Sequence, residues 1–155
     1  MIISLPEYSA ADAVLLFYPI GSEPDTLLIA SDALAKGKTV AFPVTRGREM
    51  SFFSVSSLNG FIPGAMGIPE PDAKDALPLT AGKSSLCVVP ALAVDKTGHR
   101  IGYGGGCYDR FLEEYAGFSV CIVFPQLEKE ALPAEPHDVR VDAAAIPGRG
   151  LIRFK

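Results

Sequence analysis

The glycine-rich segment 102–109 concentrates the residues with the clearest chemical potential in this chain of 155 residues. Four of the five residues from Gly102 to Gly106 are glycines, so backbone N–H groups there can approach an anion closely. Apolar residues follow at the i, i+3, i+4 and i+7 spacing of a helix: Tyr108, Phe111, Leu112 and Tyr115. The pattern predicts a short amphipathic helix that ends by Gly117. A glycine loop that enters a helix N-terminus is typical of a phosphate-binding site.

Two common phosphate motifs do not fit this segment. Counting from Gly102 and Gly104, the third glycine of a dinucleotide-binding GxGxxG motif is replaced by Cys107. The chain also lacks the GxxxxGK[ST] string of a P-loop. Cys107 with His99 or His137 offers a nucleophile and a base, but a cysteine in a glycine turn is more often a packed residue. The loop therefore indicates phosphate chemistry without specifying its class.

Continuous apolar runs predict the strands that position the loop. They are Ala13–Tyr18, Thr39–Phe42, Leu86–Val89 and Ser119–Phe124. Runs without alternation favour strands that are buried on both faces of a largely parallel sheet. Between the first two, Asp25 or Thr26 can cap a helix that ends at Lys36-Gly37, which completes a βαβ unit. These elements predict an α/β fold.

The remaining segments are less regular. Met50–Val55 predicts a further strand, and Val139–Ala145 with Leu151–Phe154 predicts one or two more. Ser56–Lys83 is rich in Gly, Pro, Ala and Asp, with little periodicity. A long irregular segment in a compact domain usually lines or covers a site.

Composition excludes several classes of protein. At 48% hydrophobic and 21% charged residues, we expect one globular domain over residues 1–155. The net charge of -4 argues against a nucleic-acid partner. No run resembles a signal peptide or a membrane span, so we expect a cytoplasmic protein without a membrane partner. Three cysteines without CxxC spacing predict neither a disulfide framework nor a zinc site.

The run from Arg100 to Arg110, R-I-G-Y-G-G-G-C-Y-D-R, resembles the signature of the 5-formyltetrahydrofolate cyclo-ligase family, also called methenyltetrahydrofolate synthetases. That family usually has Tyr where this chain has Cys107. Three further segments are similar to family motifs in the same order: Glu23-Pro24-Asp25-Thr26 to E-x-x-T, Gly67-Ile68-Pro69-Glu70-Pro71 to G-I-x-E-P, and Leu132–Asp138 with Val141-Asp142 to L-P-x-E-x-H-D and V-D.

The resemblance implies a three-layer fold of the NagB/RpiA/CoA-transferase-like type, with helices on both faces of the sheet. It implies ATP- and Mg²⁺-dependent cyclisation of 5-formyltetrahydrofolate to 5,10-methenyltetrahydrofolate, with release of ADP and phosphate. Phosphorylation turns the formyl oxygen into a leaving group that the second folate nitrogen displaces. A reduced folate is then the small-molecule partner, and we expect a monomer or a weak homo-oligomer.

The resemblance also assigns roles to single residues. Arg100 and Asp109 are the implied catalytic residues, and Asp109 and Asp138 the implied metal ligands. The implied ATP-binding residues are Arg100, Gly102, Tyr103, Gly104, Gly105, Gly106, Cys107 and Tyr108. The implied folate-binding residues are Tyr18, Glu23, Tyr103, Gly104, Gly105 and Gly106. The residues alone also allow structural roles. Tyr18 and Tyr108 fit core positions equally well. Glu23 fits the start of the next helix, and Asp109 fits the first turn of its own helix.

One feature departs from the family pattern. Family members usually begin with a basic helix that reaches the ATP phosphates, whereas the first basic residue here is Lys36. Arg46, Arg48, Lys83 or Arg149 would compensate if they faced the cleft. The alternative hypothesis is therefore a non-catalytic or weakly active relative that binds folate or nucleotide.

Overall fold

The computed structural model describes residues 1–103 and 105–154. Its strands, in chain order, are β1 (Ala13–Leu15), β2 (Thr39–Arg46), β3 (Glu49–Val55), β4 (Ile62–Pro63), β5 (Pro69–Glu70), β6 (Leu77–Leu79), β7 (Ser85–Val89), β8 (Ala93–Asp95), β9 (Arg100–Ile101), β10 (Phe118–Ile122), β11 (Glu128–Lys129), β12 (Ala143–Ile146) and β13 (Gly150–Arg153). Its α-helices are α1 (Pro6–Ala10), α2 (Thr26–Ala35) and α3 (Cys107–Glu114).

The main sheet of the described residues has eight strands in the order β13-β12-β10-β7-β1-β2-β3-β6. The strands from β12 to β2 pair in parallel, whereas β13, β3 and β6 join antiparallel at the two edges. The residues of β7 are buried throughout, as its continuous apolar sequence predicted, and those of β12 are buried as well. The largely parallel α/β sheet is therefore confirmed, and its parallel strands all end at one edge.

Helices cover both faces of this sheet. Tyr8 of α1 and Ile29 of α2 pack in one apolar cluster with Val14. Leu112 of α3 packs in a second cluster with Leu15 and Phe52. Because Val14 and Leu15 are neighbours in β1, their side chains point to opposite faces. The expected three-layer arrangement is confirmed.

The first βαβ unit follows the prediction in its order, but β1 is shorter than predicted and β2 extends beyond Phe42 to Arg46. The Asp25 carboxylate accepts a hydrogen bond from the Leu27 N–H at 3.1 Å, so Asp25 is the N-cap of α2. The Thr26 hydroxyl instead donates to the Phe17 carbonyl at 2.6 Å. The prediction of a strand over Ala13–Tyr18 was too long, because β1 ends at Leu15. Buried residues continue beyond that end, so apolarity alone overextended the strand.

The segment 56–83 is more ordered than its composition indicated. Strands β4 and β5 form a hairpin, and β6 extends the main sheet beside β3. Glu70 ties the hairpin to the end of β2, accepting from the Thr45 N–H at 2.8 Å and from Arg46 at 3.0 Å. Gly64 packs so closely on this side chain that a Cβ would clash with it. Buried polar contacts therefore hold a segment that lacks hydrophobic periodicity.

Candidate active site

The glycine loop lies at the edge of the sheet where the parallel strands end. It follows β7 through the short antiparallel pair β8–β9, and it leads directly into α3. In open α/β sheets this edge is where ligands bind. We call residues 95–101 the root of the loop and residues 102–106 its crest. Gly104, which we expected to contact both ATP and folate, lies outside the described residues.

The root is held by one buried carboxylate, Asp95, which sequence reasoning missed. Its Oδ1 accepts hydrogen bonds from the Thr97 N–H at 2.9 Å and from the His99 N–H at 3.1 Å. Its Oδ2 accepts from the Leu132 N–H at 3.0 Å. Burial raises the pKa of Asp95, but these hydrogen bonds outweigh it and leave the pKa below its usual value. An aspartate that ends a short apolar strand beside Thr and Gly was the available signal, and it also fits an ordinary turn.

Arg100 lies beneath the crest rather than on its surface. Its side chain is 5% exposed, and Nη2 lies 3.5 Å from the Asp109 carboxylate. Nη1 donates to the Pro90 carbonyl at 3.4 Å, and Nε has no hydrogen-bond partner among the described residues. A Cβ on Gly102 would lie 2.7 Å from Nη1, so the crest begins with its main chain directly on the guanidinium. A positive charge therefore underlies the loop.

The two carboxylates expected to bind metal belong to segments that meet. The Val139 N–H donates to Asp109 Oδ1 at 3.2 Å, which brings the residue after Asp138 against the first turn of α3. Asp138 Oδ2 accepts from the Glu135 N–H at 2.8 Å. The Asp109 and Asp138 side chains are partly exposed, at 23% and 27%. The contact between Val139 and Asp109 joins two of the family motifs across 30 residues of sequence.

This pair suits a hard cation that keeps other ligands. Mg²⁺ usually takes one or two protein carboxylates together with water and phosphate oxygens. A group of three or more His, Cys, Asp or Glu side chains able to hold a metal is absent from residues 1–103 and 105–154. Asp109 and Asp138 could hold Mg²⁺ only together with water or phosphate oxygens.

Glu23 and Tyr103 meet from different loops. Tyr103 OH donates to Glu23 Oε2 at 2.9 Å, and the Ile20 N–H donates to Glu23 Oε1 at 2.8 Å. Burial and the neighbouring carboxylate raise the pKa of Tyr103 to about 12, so the phenol stays protonated at neutral pH. The loop after β1 and the crest are thus in contact through the Glu23 and Tyr103 side chains.

Gly105 and Gly106 form the end of the crest and the start of α3. Gly106 is the N-cap with a φ of 70°, a conformation that favours glycine. Arg110 Nη2 donates to the Gly105 carbonyl at 3.1 Å and to the Arg48 carbonyl at 2.7 Å. Arg110 therefore braces the crest against the β2–β3 turn, a role that its place in the motif did not reveal.

Cys107 and Tyr108 have different surroundings at the start of α3. The Cys107 thiol is half-buried and lies 3.7 Å from the Arg48 carbonyl and 3.6 Å from Arg110. Tyr108 points inward, its ring 6.4 Å from that of Phe52, and its hydroxyl finds no partner within the described chain. Burial raises the pKa of Tyr108 well above 10. Tyr108 was expected either to bind ATP or to belong to the apolar face of its helix. Its contacts are those of the apolar face.

Tyr18 packs in the core below the cleft. Its ring centroid lies 5.4 Å from that of Phe61 and 6.3 Å from that of Phe42. It belongs to the apolar cluster beneath α1 and α2. Tyr18 therefore has the packing contacts of a core residue, one of the two roles considered for it. The other role, the substrate contact implied by the resemblance, stays a prediction.

The basic residues considered as phosphate contacts are distributed differently. Arg46 pairs with Glu70, and Arg149 pairs with Glu128. Arg48 lies with Cys107 and Arg110 at a groove of about 470 Å³ between α3 and strands β3 and β6, which we call the α3 groove. Its lining also includes the acidic residues Glu49 and Glu114. Arg48 is therefore the one of these three arginines that borders the glycine-loop region.

Comparison with known proteins connects this geometry to a family. The model of the 5-formyltetrahydrofolate cyclo-ligase family matches residues 1–147. The chain belongs to this family. It is 32% identical over 149 residues to the 5-formyltetrahydrofolate cyclo-ligase of Mycolicibacterium smegmatis, covering 92% of this chain and 77% of that protein. It is 27% identical over 155 residues to the Escherichia coli cyclo-ligase, covering 95% and 84% of the two chains.

Solved cyclo-ligase structures share the fold. The NMR structure of 5,10-methenyltetrahydrofolate synthetase from Aquifex aeolicus superposes with a TM-score of 0.82 at 30% identity, covering 99% of this chain and 77% of that one. A synthetase from Mycoplasma pneumoniae gives a TM-score of 0.64 at 20% identity, covering 99% and 80% of the chains. The three-layer sheet is therefore the fold of the cyclo-ligase family. In the described residues, no helix is long and apolar enough to cross a membrane.

Proposed function

We propose that the chain is an ATP- and Mg²⁺-dependent ligase that cyclises 5-formyltetrahydrofolate to 5,10-methenyltetrahydrofolate, releasing ADP and phosphate. Beside family membership, the observation that carries this proposal is the hydrogen bond from the Val139 N–H to Asp109. It joins the glycine-loop motif to the motif that contains Asp138. We assign this activity to one domain, acting in the cytoplasm on a reduced folate, as a monomer or weak homo-oligomer.

The crest supplies the anion site in this proposal. Main-chain amides at Gly105 and Gly106 precede the N-terminus of α3, where the helix dipole favours negative charge. Gly105 has room above its backbone, since an added Cβ would meet only the Cys107 sulfur, at 3.9 Å. A phosphate can therefore approach the main chain directly.

Asp109 and Asp138 are the carboxylates that would hold Mg²⁺ in this proposal. The contacts of Asp109 with Arg100 and with Val139 both fall on Oδ1, so within residues 1–103 and 105–154 Oδ2 is the oxygen proposed to face a cation. ATP, when bound with Mg²⁺, supplies the phosphoryl group that makes the formyl oxygen a leaving group. The protein's task is then to align the two substrates and stabilise charge, which requires no protein nucleophile.

Arg100 acts in this scheme from below the loop. Its 5% exposure leaves little surface for a ligand, but its charge lies under the crest and beside Asp109. Charge in a buried position is weakly screened by water and acts strongly on a nearby phosphate. We assign Arg100 to orienting Asp109 and to balancing phosphate charge through the loop.

Glu23 is the residue proposed to recognise the pterin. A carboxylate offers about four acceptor positions, and an amino group beside a ring N–H presents two donors to it. Glu23 stands on the loop after β1, facing the crest through Tyr103. This arrangement would lay the pterin beside the phosphate site.

The direct test follows the absorbance of the methenyl product with ATP, Mg²⁺ and 5-formyltetrahydrofolate. We expect turnover that requires all three and stops when EDTA removes the metal. Asp138→Asn is the variant for the metal assignment, and it should raise the Mg²⁺ concentration needed for half-maximal rate. A folded full-length protein that binds folate without turnover would overturn the ligase proposal and support a binding relative.

A further inference from the structure

Glu23 accepts a hydrogen bond at each of its two carboxylate oxygens. The Ile20 N–H donates to Oε1 at 2.8 Å, within a turn in which the Glu23 N–H donates to the Ile20 carbonyl at 3.1 Å. Oε2 accepts from Tyr103 OH at 2.9 Å, across 80 residues of sequence. A flexible glutamate on a loop is thereby fixed in one orientation.

Tyr103 reaches Glu23 from a part of the loop that packs on a buried side chain. The preceding residue, Gly102, rests on the Arg100 guanidinium, since a Cβ there would lie 2.7 Å from Nη1. Arg100 is itself buried and bonded to the Pro90 carbonyl. The tyrosine is 53% exposed, so packing of its ring is not what holds the phenol in place. The hydrogen bond to Glu23 therefore gives this side chain its direction.

We infer that Tyr103 is a positioning residue that orients the Glu23 carboxylate to receive the pterin edge of the folate. The inference rests on the proposed function, since it deepens the role given there to Glu23. Two of the roughly four acceptor positions of the carboxylate are engaged by Ile20 and Tyr103. The two that are left can accept a pair of parallel N–H donors, because rotation of the carboxylate is blocked from both sides.

The chain offers a matched control in a second tyrosine bonded to a carboxylate. Tyr8 OH donates to Asp32 Oδ2 at 2.6 Å, beneath α2. Tyr8 is 1% exposed and belongs to the core, whereas Tyr103 is 53% exposed. The same Tyr→Phe change at the two sites removes the same kind of hydrogen bond in different places.

The test measures binding of 5-formyltetrahydrofolate by calorimetry without ATP, and binding of ATP separately. Tyr103→Phe should weaken folate binding about threefold to tenfold, because the released Glu23 carboxylate must then be ordered when folate binds. It should weaken ATP binding less, and leave Tm nearly unchanged. Tyr8→Phe should lower Tm and leave folate affinity intact. In the Glu23→Gln background, Tyr103→Phe should change folate affinity by less than about twofold, because the partner charge is gone.

Each outcome has a distinct meaning. Unchanged folate affinity in Tyr103→Phe, or an equal loss of ATP affinity, would overturn the positioning role while the proposed function stood. An undiminished effect in the Glu23→Gln background would show that Tyr103 acts without Glu23, and would overturn it as well. No folate binding by the unmodified protein would overturn the proposed function itself.

Discussion

The root and the crest of the glycine loop adjoin in sequence but are built in opposite ways. In the root, Asp95 is 3% exposed and the Arg100 side chain 5%, and both are bonded to main chain. In the crest, Tyr103 is 53% exposed and Gly105 has open space above its backbone. Buried polar contacts therefore hold the loop from below, so the main chain of its upper surface can be left exposed to ligands.

Asp109 lies where the two regions meet, and its substitution should have the largest effect. Asp109→Asn keeps an oxygen that accepts from Val139 but removes the charge proposed for Mg²⁺. We expect kcat to fall about 10²- to 10³-fold, as for loss of a group that stabilises transition-state charge. The measurement is kcat across a Mg²⁺ titration, with circular dichroism to verify the fold. Activity within threefold of the unmodified protein would remove the metal role.

Asp95→Ala tests the root alone. It removes a buried acceptor shared by the main-chain N–H groups of Thr97, His99 and Leu132. We expect the free energy of unfolding to fall by about 3 kcal/mol, since several hydrogen bonds to one charge are lost. Denaturant unfolding measures it, and Thr97→Ala, which removes the 2.7 Å hydroxyl contact, is the control at about 1 kcal/mol. Equal effects of the two variants would mean that Asp95 does not hold the root.

Paired Gly→Ala variants compare two ends of the crest: Gly102, which rests on the root, and Gly105, which is open above. At Gly102 the added Cβ would lie 2.7 Å from buried Arg100, so we expect a loss of stability of about 1 to 3 kcal/mol. At Gly105 the Cβ meets only the Cys107 sulfur, at 3.9 Å, so stability should stay within about 0.5 kcal/mol. The KM for ATP should instead rise several-fold, because the methyl group obstructs the phosphate. Thermal unfolding and ATP-dependent kinetics on both variants give the answer, and a reversed pattern would contradict the division.

The pH dependence of stability is the smallest and most specific effect. The pKa of Asp95 is lowered in the folded protein, so its ionised form stabilises the fold above the unfolded value of about 3.9. That contribution disappears as pH falls through the folded pKa. The stability difference between the unmodified protein and Asp95→Asn should therefore be constant near neutrality and shrink below about pH 4. Unfolding curves from pH 7 to pH 2 test this, and a difference independent of pH would exclude the ionised carboxylate as its source.

The sequence predicted the crest better than the root, for a physical reason. Bare glycines before an amphipathic helix have few structural explanations, so Gly102–Gly106 and α3 could be identified directly. Asp95 and Arg110 are polar residues that bind main-chain groups distant in the sequence. Asp95 accepts from the Leu132 N–H, and Arg110 donates to the Arg48 carbonyl. No periodicity or motif spacing records such contacts.

The same reason explains the fold. The parallel strands and α2 were predictable because each carries its own apolar run or cap. Strand β6 and the β4–β5 hairpin were missed because contacts with other parts of the chain hold them in place. Strand β6 pairs with β3, and Gly64 beside β4 packs on the Glu70 side chain. Tyr18 and Tyr108 show the limit for the site, since an aromatic residue near a ligand and one in the core have the same sequence signature.

Arg110 donates a hydrogen bond to the main-chain carbonyl of residue 48, a group that every amino acid has. The clamp between the crest and the β2–β3 turn is therefore indifferent to the side chain at that position. Mutation can change the size or charge of residue 48, at the mouth of the α3 groove, without loosening the loop. Position 48 can thus vary at little cost to the architecture.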